Sequence, residues 1–159
     1  MNGGTSANKT LPDKKLTFRK ARLSDAAGLA ACFDAAYSVY KSYIDDLPDV
    51  SEGVADDIAR NIVWVAVCGV DVVAGMVLVA MPDHLHLANI AVVPSCTGKG
   101  LGKALTEIAT RECLAQGLAN ISLATHQKMP ENVEFYRHLG WRVTGRSLNK
   151  IHMNKIINR

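Results

Sequence analysis

Hydrophobic and polar positions along the chain follow two periods, one of two residues and one of three to four, which predict strands and helices respectively. Loose alternation over residues 16–23 is typical of a strand, and Ser24 with Asp25 offers an N-cap for a helix over residues 26–40. Within that helix, apolar side chains recur at the spacing that one buried face requires. Pro48 interrupts the chain, and residues 50–61 predict a second, more polar helix.

Three apolar stretches follow at residues 62–68, 72–81 and 85–93, separated by short breaks, and they predict an antiparallel meander. Pro94 ends the third strand because proline has no N–H to donate to a sheet. The clearest helical pattern covers residues 101–116. The predicted elements after it are a strand over residues 119–124, a helix over 130–139 and one or two strands within 142–157. This order predicts a mixed α/β (α+β) fold with helices on both faces of the sheet.

Length and composition predict a single domain over residues 16–159, since 159 residues with 48% hydrophobic content can bury one core. Residues 1–15 are rich in Gly, Asn, Ser, Thr and Lys, so we expect a disordered tail there, native or left from cloning. The chain lacks the apolar stretch of a secretory signal and any run of roughly twenty apolar residues. Its four cysteines are too widely spaced for a metal site and indicate reduced thiols. We therefore expect a soluble, cytoplasmic protein without a metal.

The net charge of the chain is modest, at +3, and its basic residues are scattered. A nucleic-acid surface would need a dense basic stripe interleaved with aromatic side chains. We therefore expect neither nucleic acid nor a membrane as a partner.

A glycine-rich turn joins the third strand of the meander to the longest helix. The turn consists of Gly98, Lys99, Gly100, Leu101, Gly102 and Lys103. The first amides of a helix lack intrahelical acceptors, and glycines allow an anion to approach the backbone closely. Because two lysines add positive charge, the turn predicts a phosphate or diphosphate site. A tight connection that binds nothing is the simpler alternative.

Two other phosphate-binding motifs are excluded by single residues of this turn. A Walker loop needs glycine at position 97 and a hydroxyl residue at 104, where the chain has Thr97 and Ala104. A dinucleotide fingerprint starting at Gly98 needs glycine at 103, where the chain has Lys103.

Two blocks of sequence resemble signatures of the GNAT superfamily of acetyltransferases. The family pattern of Arg or Gln, two residues, Gly, one residue, and Gly or Ala matches residues 97–102 except at Thr97. Residues 132–141 resemble the family's Asn…Phe-Tyr…Leu-Gly-Phe block, with Trp141 at its last position. The resemblance extends from about Leu16 to the end of the chain. It implies a GNAT-type, twisted and mostly antiparallel sheet of six to seven strands with helices on both faces.

The resemblance also implies an activity, namely transfer of the acetyl group of acetyl-coenzyme A to a primary amine by direct attack in a ternary complex. The acceptor would be a small molecule or a peptide or protein amine. A non-catalytic acetyl-coenzyme A sensor is the alternative, and a nucleotide-phosphate binding module is a third. Members of the family are often dimers, and the resemblance leaves open whether this chain forms a homodimer.

Site residues follow from the same resemblance. The glycine turn would hold the diphosphate of coenzyme A, and the main chain at Ile90 and Val92 would pair with its pantetheine arm. Tyr136 would act as the general acid toward the departing thiolate, although a purely structural aromatic role is the alternative. Asn132 would contact coenzyme A, or else cap or pack locally.

The general base is left open by the sequence. His84 and His86 lie at alternate positions on the predicted strand before the glycine turn, and histidine titrates near neutral pH. Glu131, Glu134 and a water relay are further candidates.

Residues 37–57 combine three tyrosines with several carboxylates, in the region where the family forms its acceptor wall. Such a wall would attract a cationic amine, whereas a solvated loop is the alternative. Its members are Tyr37, Tyr40, Tyr43, Asp45, Asp46, Asp49, Glu52, Asp56 and Asp57.

Overall fold

The computed structural model describes residues 15–157. The expected tail lies outside the described residues except for Lys15, so that expectation stays a prediction. Within the described range no helix has the length and apolar character that crossing a membrane requires. The helices and strands are β1 (Leu16–Lys20), α1 (Ala26–Lys41), α2 (Val54–Arg60), β2 (Ile62–Cys68), β3 (Asp71–Ala80), β4 (Leu85–Val92), α3 (Leu101–Ala115), β5 (Asn120–His126), α4 (Pro130–His138), β6 (Arg142–Ser147) and β7 (Lys150–Ile156).

The described strands form one seven-stranded sheet in the order β1-β2-β3-β4-β5-β7-β6. Neighbouring strands are antiparallel except β4 and β5, which are parallel. The meander of β2, β3 and β4 is confirmed, and the last segment forms two strands. The predicted class, a mostly antiparallel mixed sheet with helices on both faces, is therefore confirmed.

Each face of the sheet carries its own hydrophobic core, because side chains alternate between faces along a strand. On one face, Leu105 of α3 packs in a core with Met76 of β3. On the other face, Leu29 of α1 and Val54 of α2 pack in a core with Val77, the next residue of β3. The two helical layers thereby fix the sheet between them.

Asp25 occupies the N-cap position of α1, as predicted, but its side chain makes no capping hydrogen bond to that helix. Its carboxylate instead accepts hydrogen bonds from the Arg19 guanidinium, at 2.8 and 3.1 Å, and from the Arg22 amide at 2.7 Å. These donors hold the pKa of Asp25 below its usual value, the Arg19 contact being the main cause.

The second helix begins four residues later than predicted. Gly53, which precedes Val54, has a φ of 81°, a left-handed conformation that a helix cannot continue through. Before it, the Asp49 carboxylate accepts the Ser51 amide at 3.2 Å, a local turn that competes with helix formation. Residues 50–53 therefore belong to the loop between α1 and α2.

Candidate active site

β4 and β5 separate after a short stretch of pairing. Three rows of residues pair in parallel, the last being Leu87 with Leu123. Beyond that row, residues 89–92 of β4 pair with β3, so main-chain groups on their other edge face an opening. Ala88, at the start of the opening, is the extra residue of a β-bulge. The sheet thus contains an opening between two of its central strands.

The glycine turn lies at the end of β4, where it leads into α3. Gly98 and Gly100 have φ values of 78° and 83°, and a Cβ added to either would meet no atom of the described residues within 4 Å, apart from its chain neighbours. The Ala104 amide donates to the Gly100 carbonyl at 3.0 Å and begins the helical hydrogen bonds, which leaves the amides of residues 101–103 without backbone acceptors in the described chain. Free amides next to glycines with open surroundings suit an anion.

The third glycine of the turn has a different physical role. A Cβ added to Gly102 would lie 3.2 Å from the Phe135 ring, closer than most real contacts. Gly102 therefore allows the first turn of α3 to pack against α4, and α4 in turn borders the opening.

A cavity of about 450 Å³ fills the space between the opening, the glycine turn, α1 and α4. Of the residues predicted to bind coenzyme A, only Lys99 lies outside its lining, with its side chain exposed. The predicted residues that line this first cavity are Ile90, Val92, Gly98, Gly100, Leu101, Gly102, Lys103, Asn132 and Tyr136.

Tyr136 is deeply buried and belongs to the lining of the first cavity. Its side chain packs edge-on against Phe135 and Trp141, at ring distances of 5.2 and 5.4 Å, and the residue is 6% exposed. Burial raises the pKa of Tyr136 well above its usual value, and the nearby Tyr37 hydroxyl adds to the shift. The phenol therefore keeps its proton throughout the neutral range.

Asn132 both lines the first cavity and bonds locally. Its amide nitrogen donates to the Thr125 hydroxyl at 3.3 Å and to the Met129 sulfur at 3.4 Å. These contacts join the start of α4 to the end of β5, so the local packing role that the sequence left open is present.

A second cavity of about 350 Å³ adjoins the first one. The two cavities therefore meet at the opening between β4 and β5. The residues that line both are Tyr37, Ala88, Asn89, Ala124 and Thr125. The second cavity is completed by Asp46, Leu47, Pro48, Val50, His126, Met129, Asn149 and Lys150.

A hydrogen-bonded pair of polar side chains lies where the cavities meet. The Tyr37 hydroxyl donates to the Asn89 side-chain oxygen at 3.5 Å, and the Asn89 amide donates to the Val50 carbonyl at 3.4 Å. Burial raises the pKa of Tyr37. Sequence reasoning missed Asn89, because its relation to Tyr37 spans 52 residues and belongs to no motif.

The predicted acceptor wall is only partly present. Tyr37 and Asp46 line the second cavity, and Tyr40 lines the first. Burial, with the Glu131 carboxylate nearby, raises the pKa of Tyr40 to about 12. Among the carboxylates of the predicted wall, Asp46 is therefore the one that lines the second cavity. The other predicted wall residues, outside both linings, are Tyr43, Asp45, Asp49, Glu52, Asp56 and Asp57.

The four side chains considered as general bases all lie outside the two linings. His86 shares a hydrogen bond of 2.8 Å with the Ser122 hydroxyl, and burial, followed by nearby cationic groups, lowers the pKa of His86. His84 contacts the Asp83 carboxylate at 2.7 Å in the turn between β3 and β4. Glu131 and Glu134 lie on the exposed side of α4.

Comparison with known families identifies the class of protein that this fold and site define. The model of the Acetyltransferase (GNAT) family matches residues 30–141. The match covers more than half of the chain, which therefore belongs to the GNAT family of acetyltransferases. The chain is also 27% identical over 134 residues to the peptidyl-lysine N-acetyltransferase YjaB of Salmonella typhimurium, covering 83% of this chain and 87% of that one.

Solved structures share the same fold. The PaiA N-acetyltransferase of Thermoplasma acidophilum, in complex with coenzyme A, superposes with a TM-score of 0.81 at 18% identity, covering 89% of this chain and 99% of that one. The ribosomal-protein-S18-alanine N-acetyltransferase of Escherichia coli gives a TM-score of 0.75 at 19% identity, covering 91% and 96%. At this identity the likeness shows the fold alone.

Proposed function

We propose that this chain is an N-acetyltransferase that passes the acetyl group of acetyl-coenzyme A to a primary amine by direct attack within a ternary complex. The observation that carries the proposal is the opening between β4 and β5, which joins the cavity at the glycine turn to a second cavity. Two substrates can therefore meet from separate cavities, as a ternary complex requires. The coenzyme A bound to PaiA and the amine acceptors named for two similar proteins support this proposal.

The residues around the first cavity fit acetyl-coenzyme A. The free amides of residues 101–103 and the open space at Gly98 and Gly100 suit its diphosphate, with Lys103 adding positive charge. The unpaired edge of β4 at Ile90 and Val92 suits the amide groups of its pantetheine arm. When bound, acetyl-coenzyme A supplies an activated acetyl thioester.

Tyr136 is the general acid in this proposal. It holds a proton on its phenol oxygen at the wall of the first cavity, where a departing thiolate could take it. The raised pKa of Tyr136 keeps that proton in place before the reaction. Burial disfavours the charged thiolate of coenzyme A as it disfavours the charged phenolate of Tyr136, so the proton affinities of the thiol and the phenol both rise in this cavity.

The acceptor amine enters through the second cavity and reaches the opening beside Tyr37 and Asn89. Apolar residues such as Leu47 and Val50 suit an aliphatic arm that ends in an amine, and peptidyl-lysine is the acceptor named for YjaB. Because the four candidate bases lie outside both linings, water carries the proton from the amine in this proposal. The cytoplasmic location that the sequence predicts is part of the same proposal.

Two assays test the proposal. Thermal denaturation with coenzyme A, ATP or NAD should show a rise in Tm for coenzyme A alone. Thiol release from acetyl-coenzyme A should then depend on an amine, tested with N-α-acetyl-lysine amide, a peptide with a free N-terminal alanine, spermidine and butylamine. Absence of amine-dependent release across this panel, together with no effect of coenzyme A on Tm, would contradict the proposal.

Replacing Tyr136 by Phe tests its proposed role. We expect kcat to fall at least about a hundredfold, because general acid catalysis typically contributes that much. The Kd for coenzyme A and the Tm should change little, since the ring packing is kept. Tyr43→Phe is the matched control, because Tyr43 is exposed and lies outside both cavities. Unchanged turnover in Tyr136→Phe would remove Tyr136 as the acid.

A further inference from the structure

Three distant chain segments meet at the carboxylate of Asp46, on the rim of the second cavity. One carboxylate oxygen lies 2.6 Å from His126 Nε2 at the end of β5. The other oxygen accepts a hydrogen bond of 2.7 Å from the Asn149 side chain, in the turn between β6 and β7. The contacts span 80 and 103 residues of sequence. We call Asp46, His126 and Asn149 the Asp46 clasp.

Backbone contacts hold the two partners of Asp46 in place. The Lys128 amide donates to His126 Nδ1 at 3.0 Å, so the proton of the ring lies on Nε2, where it is donated to Asp46. The Gln127 amide donates to the Asn149 carbonyl at 2.7 Å, which ties the end of β5 to the β6–β7 turn. The His126 side chain is 6% exposed. Asp46 therefore contacts two hydrogen-bond donors that backbone hydrogen bonds hold in place.

Asp46 belongs to the loop between α1 and α2, which has no regular structure of its own. This loop supplies the apolar wall of the second cavity through Leu47, Pro48 and Val50. Its further anchors are the buried Ile44 side chain and the hydrogen bond from Asn89 to Val50. The Asp46 clasp is thus a polar link that fixes this wall to the opposite side of the same cavity.

We infer that the Asp46 clasp positions the wall of the acceptor cavity and thereby determines acceptor affinity and the size of acceptor that fits. All three clasp residues line the second cavity, and none lines the first. Loosening the clasp therefore changes acceptor binding without changing acetyl-coenzyme A binding. The inference rests on the proposed function, because it takes the second cavity as the acceptor cavity. Asp46 acts here as a positioning residue.

The test compares Asp46→Ala and Asn149→Ala with the matched control Asp45→Asn, which changes an exposed carboxylate one residue away that lies outside both linings. Each variant is assayed with the panel amine that gives wild type its highest kcat/KM. N-α-acetyl-lysine amide is also assayed with each variant. We expect the acceptor KM to rise roughly fivefold or more in Asp46→Ala, since two hydrogen bonds to a charged group are lost. The KM for acetyl-coenzyme A should stay within about twofold. Asp46→Asn should show a smaller effect, because its carbonyl oxygen can still accept one bond.

Two further measurements separate positioning from general instability. Amide hydrogen exchange in residues 42–53 should be faster in Asp46→Ala than in Asp45→Asn, while exchange in the sheet and the Tm stay unchanged. The ratio of kcat/KM for butylamine to kcat/KM for cyclohexylamine should also be lower in Asp46→Ala than in wild type, because a looser wall admits the bulkier amine.

The outcomes distinguish this inference from the proposed function. An unchanged acceptor KM in Asp46→Ala, or an equal rise in the KM for acetyl-coenzyme A, overturns the inference while amine-dependent transfer by wild type leaves the proposed function intact. Unchanged loop exchange overturns it as well. Failure of wild type to acetylate any amine contradicts the proposed function, and the inference fails with it.

Discussion

Gly100→Ala is a sharp perturbation of the glycine turn, because the chain contains a matched control. Gly100 has a φ of 83° and lines the first cavity, and apart from its chain neighbours no atom in the described part of the chain lies within 4 Å of an added Cβ. Gly117, just after α3, has a φ of 74° and equally open surroundings, but it lies outside both cavities. Both alanine variants place a Cβ on a residue with a left-handed backbone conformation, so they should lose similar stability. They differ in their distance from the proposed ligand.

The expected magnitudes follow from that geometry. A left-handed residue with a Cβ costs about 1–2 kcal/mol, which lowers the Tm of a chain of this size by roughly 2–8 °C. Both variants should show this loss. In Gly100→Ala the added methyl group also enlarges a residue that lines the first cavity together with residues 101–103, so we expect it to hinder a diphosphate from forming charge-assisted hydrogen bonds to the free α3 amides. We expect at least about a tenfold rise in the Kd for coenzyme A.

Isothermal titration with coenzyme A, beside thermal denaturation of the free variants, measures both quantities. Gly117→Ala should lose stability and keep the Kd of wild type, whereas Gly100→Ala should lose both. Equal Kd values for the two variants and wild type would refute the assignment of the turn to the diphosphate. A larger Kd change in Gly117→Ala than in Gly100→Ala would refute it also.

Two predictions concern stability. Asp25→Asn should lower the free energy of unfolding by about 1–2 kcal/mol at neutral pH, since it weakens the charged contact with the partly exposed Arg19. Because the pKa of Asp25 is lowered in the folded state, the stability difference between Asp25→Asn and wild type should be full above about pH 4 and should vanish as pH falls through that folded pKa. Urea unfolding at a series of pH values would measure this difference. A difference that stays constant with pH would be inconsistent with the ion pair. Trp141→Phe should change stability by less than about 1 kcal/mol, because the buried indole N–H has no hydrogen-bond partner among residues 15–157 and its loss offsets the lost packing. Trp141→Ala should cost about 3–5 kcal/mol in the same assay, and equal losses in both variants would contradict this reasoning.

Much of the fold could be predicted from the sequence, because its strongest local patterns coincide with its buried faces. The strand over residues 62–68 was predicted with its observed bounds, and α3 ends one residue before the predicted end. Local signals were weaker where one side chain had two possible hydrogen-bond partners. At Asp25 the carboxylate could cap a helix or bind Arg19, and the contact with β1 decides between them.

The candidate site was predictable only where a motif carries it. Gly98, Gly100 and Tyr136 could be selected from the family resemblance, since their spacing along the chain is itself the signal, and they line one cavity. Asn89 and the Asp46 clasp could not be predicted, because their contacts depend on how α1, β5 and the β6–β7 turn meet in the folded sheet. Sequence separations of 52 to 103 residues leave no local pattern to read.

The central claim is that the opening beside β4 and the amides at the start of α3 bind acetyl-coenzyme A. Titration of ¹⁵N-labelled protein with coenzyme A, followed by amide chemical shifts, tests it residue by residue. We predict that the largest shift changes fall on residues 88–92 and 98–103 and that they saturate together. Saturable changes centred elsewhere, or no changes at all, would contradict the account.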